Sequence, residues 1–202
     1  MIIGGFTKLS TIDWPGKLAA VIFTKGCNFR CPWCHNKGLV WPELYGPEIP
    51  EREALVYLEK RKSYLDGVVV TGGEPTIHKD LPAFLRKIRN IGLKTKLDTN
   101  GSSPDILEYL LQQGLLDALA VDVKAPLEKY PEVTGVPVDT EALWRSFSLA
   151  ASSGLPVWFR TTLAPGLGKE DIEQIIEQIK KLIGQSSTNK IVHVFQEYRE
   201  GR

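Results

Sequence analysis

The chain has 202 residues, 43% hydrophobic and 24% charged, and its 25 Lys and Arg nearly balance 24 Asp and Glu, giving a formal net charge of +1. This length and composition predict one folded domain, residues 1–202, and exclude a disordered chain. The near-neutral charge gives no electrostatic basis for binding nucleic acid. Neither a signal peptide nor a run of about 18 apolar residues is visible, so we expect a cytoplasmic protein without a membrane partner.

The predicted elements alternate between short apolar strands and longer amphipathic helices. Residues 1–17 form an N-terminal extension before the first predicted strand. Six strands are predicted at 18–24, 67–71, 93–98, 117–122, 156–162 and 190–195. Apolar residues at helical spacing predict helices near 51–65, 81–88, 104–111, 139–154 and 172–179. Most of these strands are nearly continuous apolar runs, which is typical of a parallel sheet buried on both faces.

Parallel strands joined by helices indicate an α/β fold with right-handed crossovers, either an open doubly wound sheet or part of a β/α barrel. In both architectures, ligands bind at the carboxyl ends of the strands. Five predicted strands are followed by polar or glycine-rich segments, which begin at Lys25, Gly72, Thr99, Lys124 and Ala164. We expect these segments to share one rim of the fold.

All three cysteines of the chain, Cys27, Cys31 and Cys34, lie in the loop after the first predicted strand. Thiols this close in sequence cannot form a disulfide framework. The C-x3-C-x2-C spacing leaves five interpretations: buried structural cysteines, a c-type haem site, a glutaredoxin-like exchange site, a structural zinc site or an iron–sulfur cluster. The cluster accounts best for the odd number, because three thiolates on a cubane leave one iron open to a chelating substrate.

Several motifs resemble the radical S-adenosylmethionine superfamily. The cysteine loop is one, and GGEP at 72–75, after the second predicted strand, is another. DWPG at 13–16, DTNG at 98–101 and DVK at 122–124 resemble the activating enzymes of glycyl radical enzymes, most closely those of anaerobic ribonucleoside-triphosphate reductase. The resemblance implies a partial (β/α)6 barrel with parallel strands and the cofactor site at the carboxyl ends of the strands. It also implies a single 4Fe–4S cluster, since the chain has no further cysteines.

The resemblance assigns roles to residues of the matching motifs. Cys27, Cys31 and Cys34 bind the cluster, and S-adenosylmethionine chelates its fourth iron. The implied cofactor contacts are Trp33, Cys34 and His35 beside the adenine, Gly73 and Glu74 at the methionine amino group, Lys124 and Arg160 at the carboxylate, Asp98 and Asp122 at ribose hydroxyls or a cation, and Val123 as a further contact.

Four residues carry alternative interpretations. Asp13 is the candidate for holding the partner's glycine, and a plain Asp-x-Pro-Gly turn is its alternative role. A salt bridge is the alternative for Arg160. The resemblance implies a cofactor-contacting histidine after the last strand, and Gln196 occupies that position here. His193 lies nearby, and a hydrogen-bonded core histidine is as good an interpretation of it as a ligand contact.

The implied activity is a one-electron cleavage of S-adenosylmethionine to methionine and a 5′-deoxyadenosyl radical, which takes a hydrogen atom from a glycine of another enzyme. The expected partners are a glycyl radical enzyme, anaerobic ribonucleoside-triphosphate reductase, and a small electron-donor protein. Within the superfamily, the alternatives are another glycyl radical enzyme or a small-molecule substrate. Outside it, a glutaredoxin-like thiol oxidoreductase is a distant alternative.

Overall fold

The computed structural model describes residues 1–184 and 190–198. The strands within these residues are β1 (Ile3–Ser10), β2 (Ala19–Thr24), β3 (Gly67–Gly72), β4 (Lys94–Thr99), β5 (Ala118–Asp122), β6 (Val157–Leu163) and β7 (Ile191–Glu197). The α-helices are α1 (Lys37–Val40), α2 (Glu51–Arg61), α3 (Leu81–Ile91), α4 (Pro104–Gln112), α5 (Tyr130–Thr134), α6 (Thr140–Ser152) and α7 (Lys169–Gly184).

The strands belong to one sheet in the order β1 to β7. β1 pairs antiparallel with β2, whereas β2 with β3, β3 with β4, β5 with β6 and β6 with β7 pair in parallel. All six predicted strands are present, and their bounds agree with the prediction to within two residues. The predicted α/β class with parallel strands is therefore confirmed.

Strand β1 lies inside the predicted N-terminal extension, and the sequence pattern does not predict it. Its first half contains Gly4 and Gly5, and residues 7–9 are all exposed. The pairing with β2 shifts register twice, as the first strand of a sheet can tolerate. Such a strand shows neither strict alternation nor a continuous apolar run. The extension therefore contributes a strand to the sheet.

Contacts between Cα atoms group the residues into two compact units. Unit 1 comprises Met1–Asn28, Asn36–Asp98 and Tyr109–Ala118; unit 2 comprises Phe29–His35, Thr99–Glu108 and the chain from Leu119 onwards. The core of unit 1 draws on fully buried side chains of β2, β3 and α3. In unit 2, Phe147 of α6 meets Phe159 of β6 edge to face, with ring centroids 6.1 Å apart. Each unit thus has its own apolar core.

Two helices begin at residues that favour a helix N-terminus. Asp139 caps α6, since its Oδ1 accepts hydrogen bonds from the backbone N–H groups of Glu141 and Ala142, both at 3.0 Å. Pro104 begins α4, as a first-turn proline does. Helix α2 ends at Arg61, four residues before the predicted end. Across the residues described, no helix has the length and apolar character that crossing a bilayer would require.

Candidate functional site

The cysteine loop begins directly after β2. None of its three cysteines is in a disulfide; Cys31 is buried, whereas Cys27 and Cys34 are half-buried. The Cys34 N–H donates to the Cys31 carbonyl at 3.1 Å and closes a turn between these two residues. Burial raises the pKa of the Cys31 thiol, and the nearby Lys124 ammonium acts in the opposite direction. The loop therefore presents the type of sulfur donor that an iron–sulfur cluster uses.

Two glycines end β3 at positions in unit 1 where a side chain cannot fit. A Cβ on Gly72 would lie 2.2 Å from the Thr24 nitrogen, and one on Gly73 would lie 1.9 Å from the Gly26 carbonyl oxygen. The Gly73 N–H donates to the Thr24 carbonyl at 2.9 Å, and the Glu74 N–H donates to the Gly26 carbonyl at 2.8 Å. The motif after β3 is thus held against the residues just before the first cysteine.

The carboxylate of Glu74, a predicted ligand of the methionine amino group, is fully buried. Its Oε1 accepts hydrogen bonds from the Thr76 N–H at 3.0 Å and from the Thr76 hydroxyl at 2.6 Å. These bonds cap the short 3-10 helix Pro75–Ile77. The structure therefore gives this side chain a role in shaping the turn, which the GGEP motif alone does not reveal.

Asp98, another predicted cofactor contact, lies near the carboxyl end of β4 in unit 1. Lys96 stands two residues earlier on the same face of the strand and donates a hydrogen bond to Asp98 Oδ1. The Lys96 and Asp98 side chains are 2% and 5% exposed, so this is an interior ion pair. Sequence reasoning selects Asp98 but misses Lys96, although their two-residue spacing in a strand is a usable signal.

Three charged side chains form an ion-pair group in unit 2: Asp122 at the end of β5, Lys124 two residues later and Arg160 in the middle of β6. Asp122 Oδ1 accepts from Arg160 Nε at 3.0 Å and Nη2 at 2.8 Å, and its Oδ2 lies 3.3 Å from Lys124 Nζ. Burial opposes ionisation of Asp122, but Arg160 and then Lys124 outweigh it and lower its pKa to about 2. With one anion and two cations, the group carries one net positive charge, and the alternative salt bridge of Arg160 is formed.

Trp33 stands between the second and third cysteines, in the part of the loop that belongs to unit 2. The Lys124 ammonium lies 5.3 Å from the centroid of its ring, a cation–π distance. The Trp33 Nε1 is buried and has no hydrogen-bond partner among the described residues. Lys124 thereby joins the ion-pair group to the cysteine loop.

Tyr130 of α5 is a residue that sequence reasoning misses. It is fully buried; its hydroxyl accepts from the Lys124 N–H at 3.0 Å and donates to the Asp122 carbonyl at 3.4 Å. Its ring also meets Phe29 of the cysteine loop edge to face at 6.4 Å. Val123, a predicted contact, is fully buried between the two residues that Tyr130 holds. A single aromatic residue in an irregular segment gives no sequence signal for this role.

The histidines predicted near the cofactor both have partners in unit 2. The His35 ring stacks on Tyr198, with centroids 5.4 Å apart and planes 14° from parallel. His193 Nε2 lies 2.9 Å from the Thr161 hydroxyl oxygen, and burial lowers the His193 pKa. Gln196 is exposed on β7. His193 is thus a hydrogen-bonded residue of the β6–β7 pair.

Asp13, the candidate for holding the partner's glycine, lies in the loop after β1. The Ser10 hydroxyl donates to Asp13 Oδ2 at 2.5 Å. The Lys17 N–H donates to the Trp14 carbonyl at 3.0 Å, and Gly16 has a φ of +75°, which favours glycine. The turn given as the alternative is therefore formed, and it holds the Asp13 carboxylate half-buried.

The donors around the cysteine loop fit the implied cluster and cofactor. Within residues 1–184 and 190–198, no three His, Cys, Asp or Glu side chains form a single-ion metal site. Two buried donors in or next to the loop, the Thr24 hydroxyl and the Trp33 indole N–H, have no partner among those residues. Buried donors without acceptors are rare in folded proteins. Cluster sulfurs and carboxylate oxygens are acceptors of the kind that would satisfy them.

Comparison with known sequences identifies the family. The sequence model of the Radical SAM superfamily matches residues 21–179. A glycyl-radical enzyme activating enzyme of Methanocaldococcus jannaschii is 35% identical over 185 residues, which cover 89% of this chain and 75% of that protein. The pyruvate formate-lyase-activating enzyme of Staphylococcus aureus is 32% identical over 193 residues, which cover 87% and 74%.

Solved structures share the fold at low sequence identity. Streptococcus suis SuiB, bound to S-adenosylmethionine, gives a TM-score of 0.67 at 18% identity and covers 89% of this chain. Coproporphyrinogen III oxidase (HemN) from Escherichia coli, a Radical SAM enzyme, gives 0.59 at 14% identity and covers 94%. The chain spans 40% and 46% of these longer structures, and the likeness confirms the predicted fold class. The chain belongs to the Radical SAM superfamily and, within it, to the glycyl-radical enzyme activating enzymes.

Proposed function

We propose that this protein activates anaerobic ribonucleoside-triphosphate reductase by generating a radical on one of its glycines, using S-adenosylmethionine and one 4Fe–4S cluster. The cysteine loop carries the proposal, because it holds three cysteines at C-x3-C-x2-C spacing, with Lys124 against Trp33 beside the last two. Membership of the activating-enzyme family supports the reaction class. Resemblance of the DTNG and DVK segments supports the reductase as partner.

Cys27, Cys31 and Cys34 would bind three irons of the cluster, and the cofactor would chelate the fourth. When bound, these groups supply a one-electron cleavage of the cofactor's C–S bond and thereby the species that abstracts hydrogen. The work of the protein is then binding, orientation and exclusion of side reactions. The family match, residues 21–179, includes residues of both units, which supports residues 1–202 as one Radical SAM domain.

Unit 2 provides the positive charge that a cofactor carboxylate requires. Arg160 already donates from Nε and Nη2 to Asp122, so we assign the carboxylate to Lys124 and give Arg160 a supporting role through Asp122. Asp122 remains ionised at neutral pH and orients Lys124 through its Oδ2. His35 and Val123, together with the backbone at Trp33, are proposed for the adenine.

Unit 1 provides contacts for the amino group and for the ribose. Because Thr76 engages the Glu74 carboxylate, we assign the amino group to backbone carbonyls of the GGEP turn, at Gly73 above all. Asp98 is proposed for ribose hydroxyls or a cation, with Lys96 fixing its orientation. Asp13, which Ser10 orients, is proposed to hold the partner's glycine peptide.

A second candidate partner is pyruvate formate-lyase. The S. aureus relative and a Clostridium pasteurianum relative, 29% identical over 189 residues, are both named as activating enzymes of that protein. In either case, a small electron-donor protein is proposed as the source of the electron. We propose a cytoplasmic location, because the three closely spaced thiols must stay reduced to bind a cluster.

The test is anaerobic reconstitution of the full chain and of Cys34→Ala. We expect about four irons per wild-type chain and cleavage of S-adenosylmethionine when a reductant is present, whereas the variant, folded by circular dichroism, binds little iron and cleaves none. Wild-type protein that retains its thiols but binds no iron would refute the cluster assignment. So would full cleavage by Cys34→Ala.

The partner is identified by electron paramagnetic resonance. Purified anaerobic reductase and purified pyruvate formate-lyase are each incubated with the reconstituted protein, S-adenosylmethionine and a reductant. A glycyl radical signal in the reductase alone supports the proposal, and one in the lyase alone supports the second candidate. Cofactor cleavage with no radical in the reductase or the lyase would indicate that the substrate is another glycyl radical enzyme or a small molecule.

A further inference from the structure

The indole N–H of Trp33 is a strong donor in a buried position. Its Nε1 is shielded from solvent and meets no acceptor among the described residues. Leaving such a group without an acceptor costs free energy, because its hydrogen bond with water is lost on folding and not replaced. The ring is held in place on one face, where Lys124 Nζ lies 5.3 Å from the centroid. One face of the ring is therefore already occupied in the protein itself.

The face and the edge of this ring have different chemistry. A cation over the face interacts with the π system, whereas the N–H points outward in the ring plane and requires an electron-rich atom. Trp33 stands one residue before Cys34 and two after Cys31, so it belongs to the loop that carries the thiols. Lys124, on the face, belongs to a group with one net positive charge that favours anions nearby.

We infer that the Trp33 indole N–H donates a hydrogen bond to an anionic acceptor of the bound group, either a sulfur of the iron–sulfur cluster or an oxygen of the cofactor carboxylate. The inference rests on the proposed function and adds to it, since the contact assigned to Trp33 there comes from its backbone. The side chain thus has two functions: its face orients Lys124, and its edge recognises the ligand.

Two substitutions separate the edge from the face. Trp33→Phe retains an aromatic face for Lys124 but removes the N–H, whereas Trp33→Leu removes both. Trp144→Phe makes the same chemical change on α6, outside the proposed site, and is the matched control. All are reconstituted anaerobically as full chains. The readouts are the midpoint potential of the cluster without cofactor and the dissociation constant of S-adenosylmethionine.

If the acceptor is the carboxylate, Trp33→Phe weakens cofactor binding about ten- to hundred-fold, as expected for a lost hydrogen bond to a charged group, and leaves the potential unchanged. If the acceptor is a cluster sulfur, Trp33→Phe lowers the potential, because hydrogen bonds to the sulfurs stabilise the reduced state. In both cases Trp144→Phe matches wild type.

The inference is overturned if Trp33→Phe matches wild type in both readouts, whether or not Trp33→Leu differs. The aromatic face alone would then explain the role of Trp33, or a water molecule would accept its N–H. Should Trp33→Phe fail to load iron, wild-type protein labelled with 15N at the indole nitrogens gives the answer. A Trp33 indole signal that moves neither on cluster loading nor on cofactor addition contradicts the inference. Wild-type protein that binds no cluster refutes the proposed function itself.

Discussion

Arg160 contacts the Asp122 carboxylate through two nitrogens, Nε at 3.0 Å and Nη2 at 2.8 Å, while Lys124 approaches the other oxygen at 3.3 Å. One carboxylate therefore holds two cations that would otherwise repel each other. The side chains of Asp122, Lys124 and Arg160 are 14% to 31% exposed, so solvent screens these interactions only in part. The orientation of Lys124, and with it the charge offered to a ligand, depends on Asp122 remaining ionised.

Asp122→Asn should lower the free energy of unfolding at pH 7 by about 1–3 kcal/mol, between the values for exposed and buried ion pairs. The folded-state pKa is lowered from 3.8 to about 2, so the stabilisation is present above pH 4 and is lost as the pH falls toward 2. Urea unfolding measures the free energy of unfolding of wild type and variant between pH 7 and pH 2. The difference between the two free energies should shrink as the pH falls from 4 to 2.

Asp105→Asn is the control for this experiment. Asp105 also pairs with an arginine, Arg145, but its side chain is 85% exposed. Its removal should change stability by less than about 0.5 kcal/mol at any pH. An Asp122→Asn difference that stays constant from pH 7 to pH 2 would show that the lost stability does not come from the ionised carboxylate.

The interior pair of Lys96 and Asp98 predicts strong coupling in unit 1. Asp98→Asn leaves the Lys96 charge buried without its anion and should cost about 3–5 kcal/mol. The double variant Lys96→Met/Asp98→Leu removes both charges and should cost less than the sum of the two single changes. A double-mutant cycle by urea unfolding measures the coupling. Additive effects would show that the two side chains do not stabilise each other.

The strand pattern and the chemical motifs could be predicted from the sequence because both depend on local information. Short runs rich in apolar and β-branched residues identify β2 to β7, although Leu97 is the only apolar residue of β4, and the spacing of the thiols identifies the cysteine loop. Strand β1 could not be predicted in this way, since its glycines and exposed residues give it no periodic pattern and its place depends on pairing with β2. Helices α1 and α5 are too short to show a period.

The candidate site was less predictable than the fold, because side-chain partners are set by tertiary structure. The sequence indicates that Glu74 and Asp98 matter, but not that Thr76 engages the first and Lys96 the second. It also gives no reason to select Tyr130, whose hydroxyl meets the backbone of two residues at the end of β5. Motifs name the residues of a site, whereas the residues that orient them require the structure.

Gly73→Ala should disturb the start of the cysteine loop. The added Cβ would lie 1.9 Å from the Gly26 carbonyl oxygen, so the backbone must move. We expect a loss of about 1–3 kcal/mol in stability, as for other overpacked sites, together with reduced iron loading. Gly46→Ala is the control, because no atom lies within 4 Å of its added Cβ. Thermal unfolding and iron analysis of both variants measure these effects, and equal behaviour would contradict the close approach at Gly73.

Tyr130→Phe tests whether a buried hydroxyl positions Lys124. Removing it leaves the Lys124 N–H without this acceptor, which should lower stability by about 1–3 kcal/mol. Tyr109→Phe removes an exposed hydroxyl that accepts from Arg86 and should change stability by less than about 0.5 kcal/mol. If Tyr130 positions Lys124, the reconstituted variant also binds S-adenosylmethionine several-fold more weakly. Loss of stability with unchanged cofactor affinity would assign Tyr130 to the folding of α5 alone, because Lys124 would then keep its position without the hydroxyl.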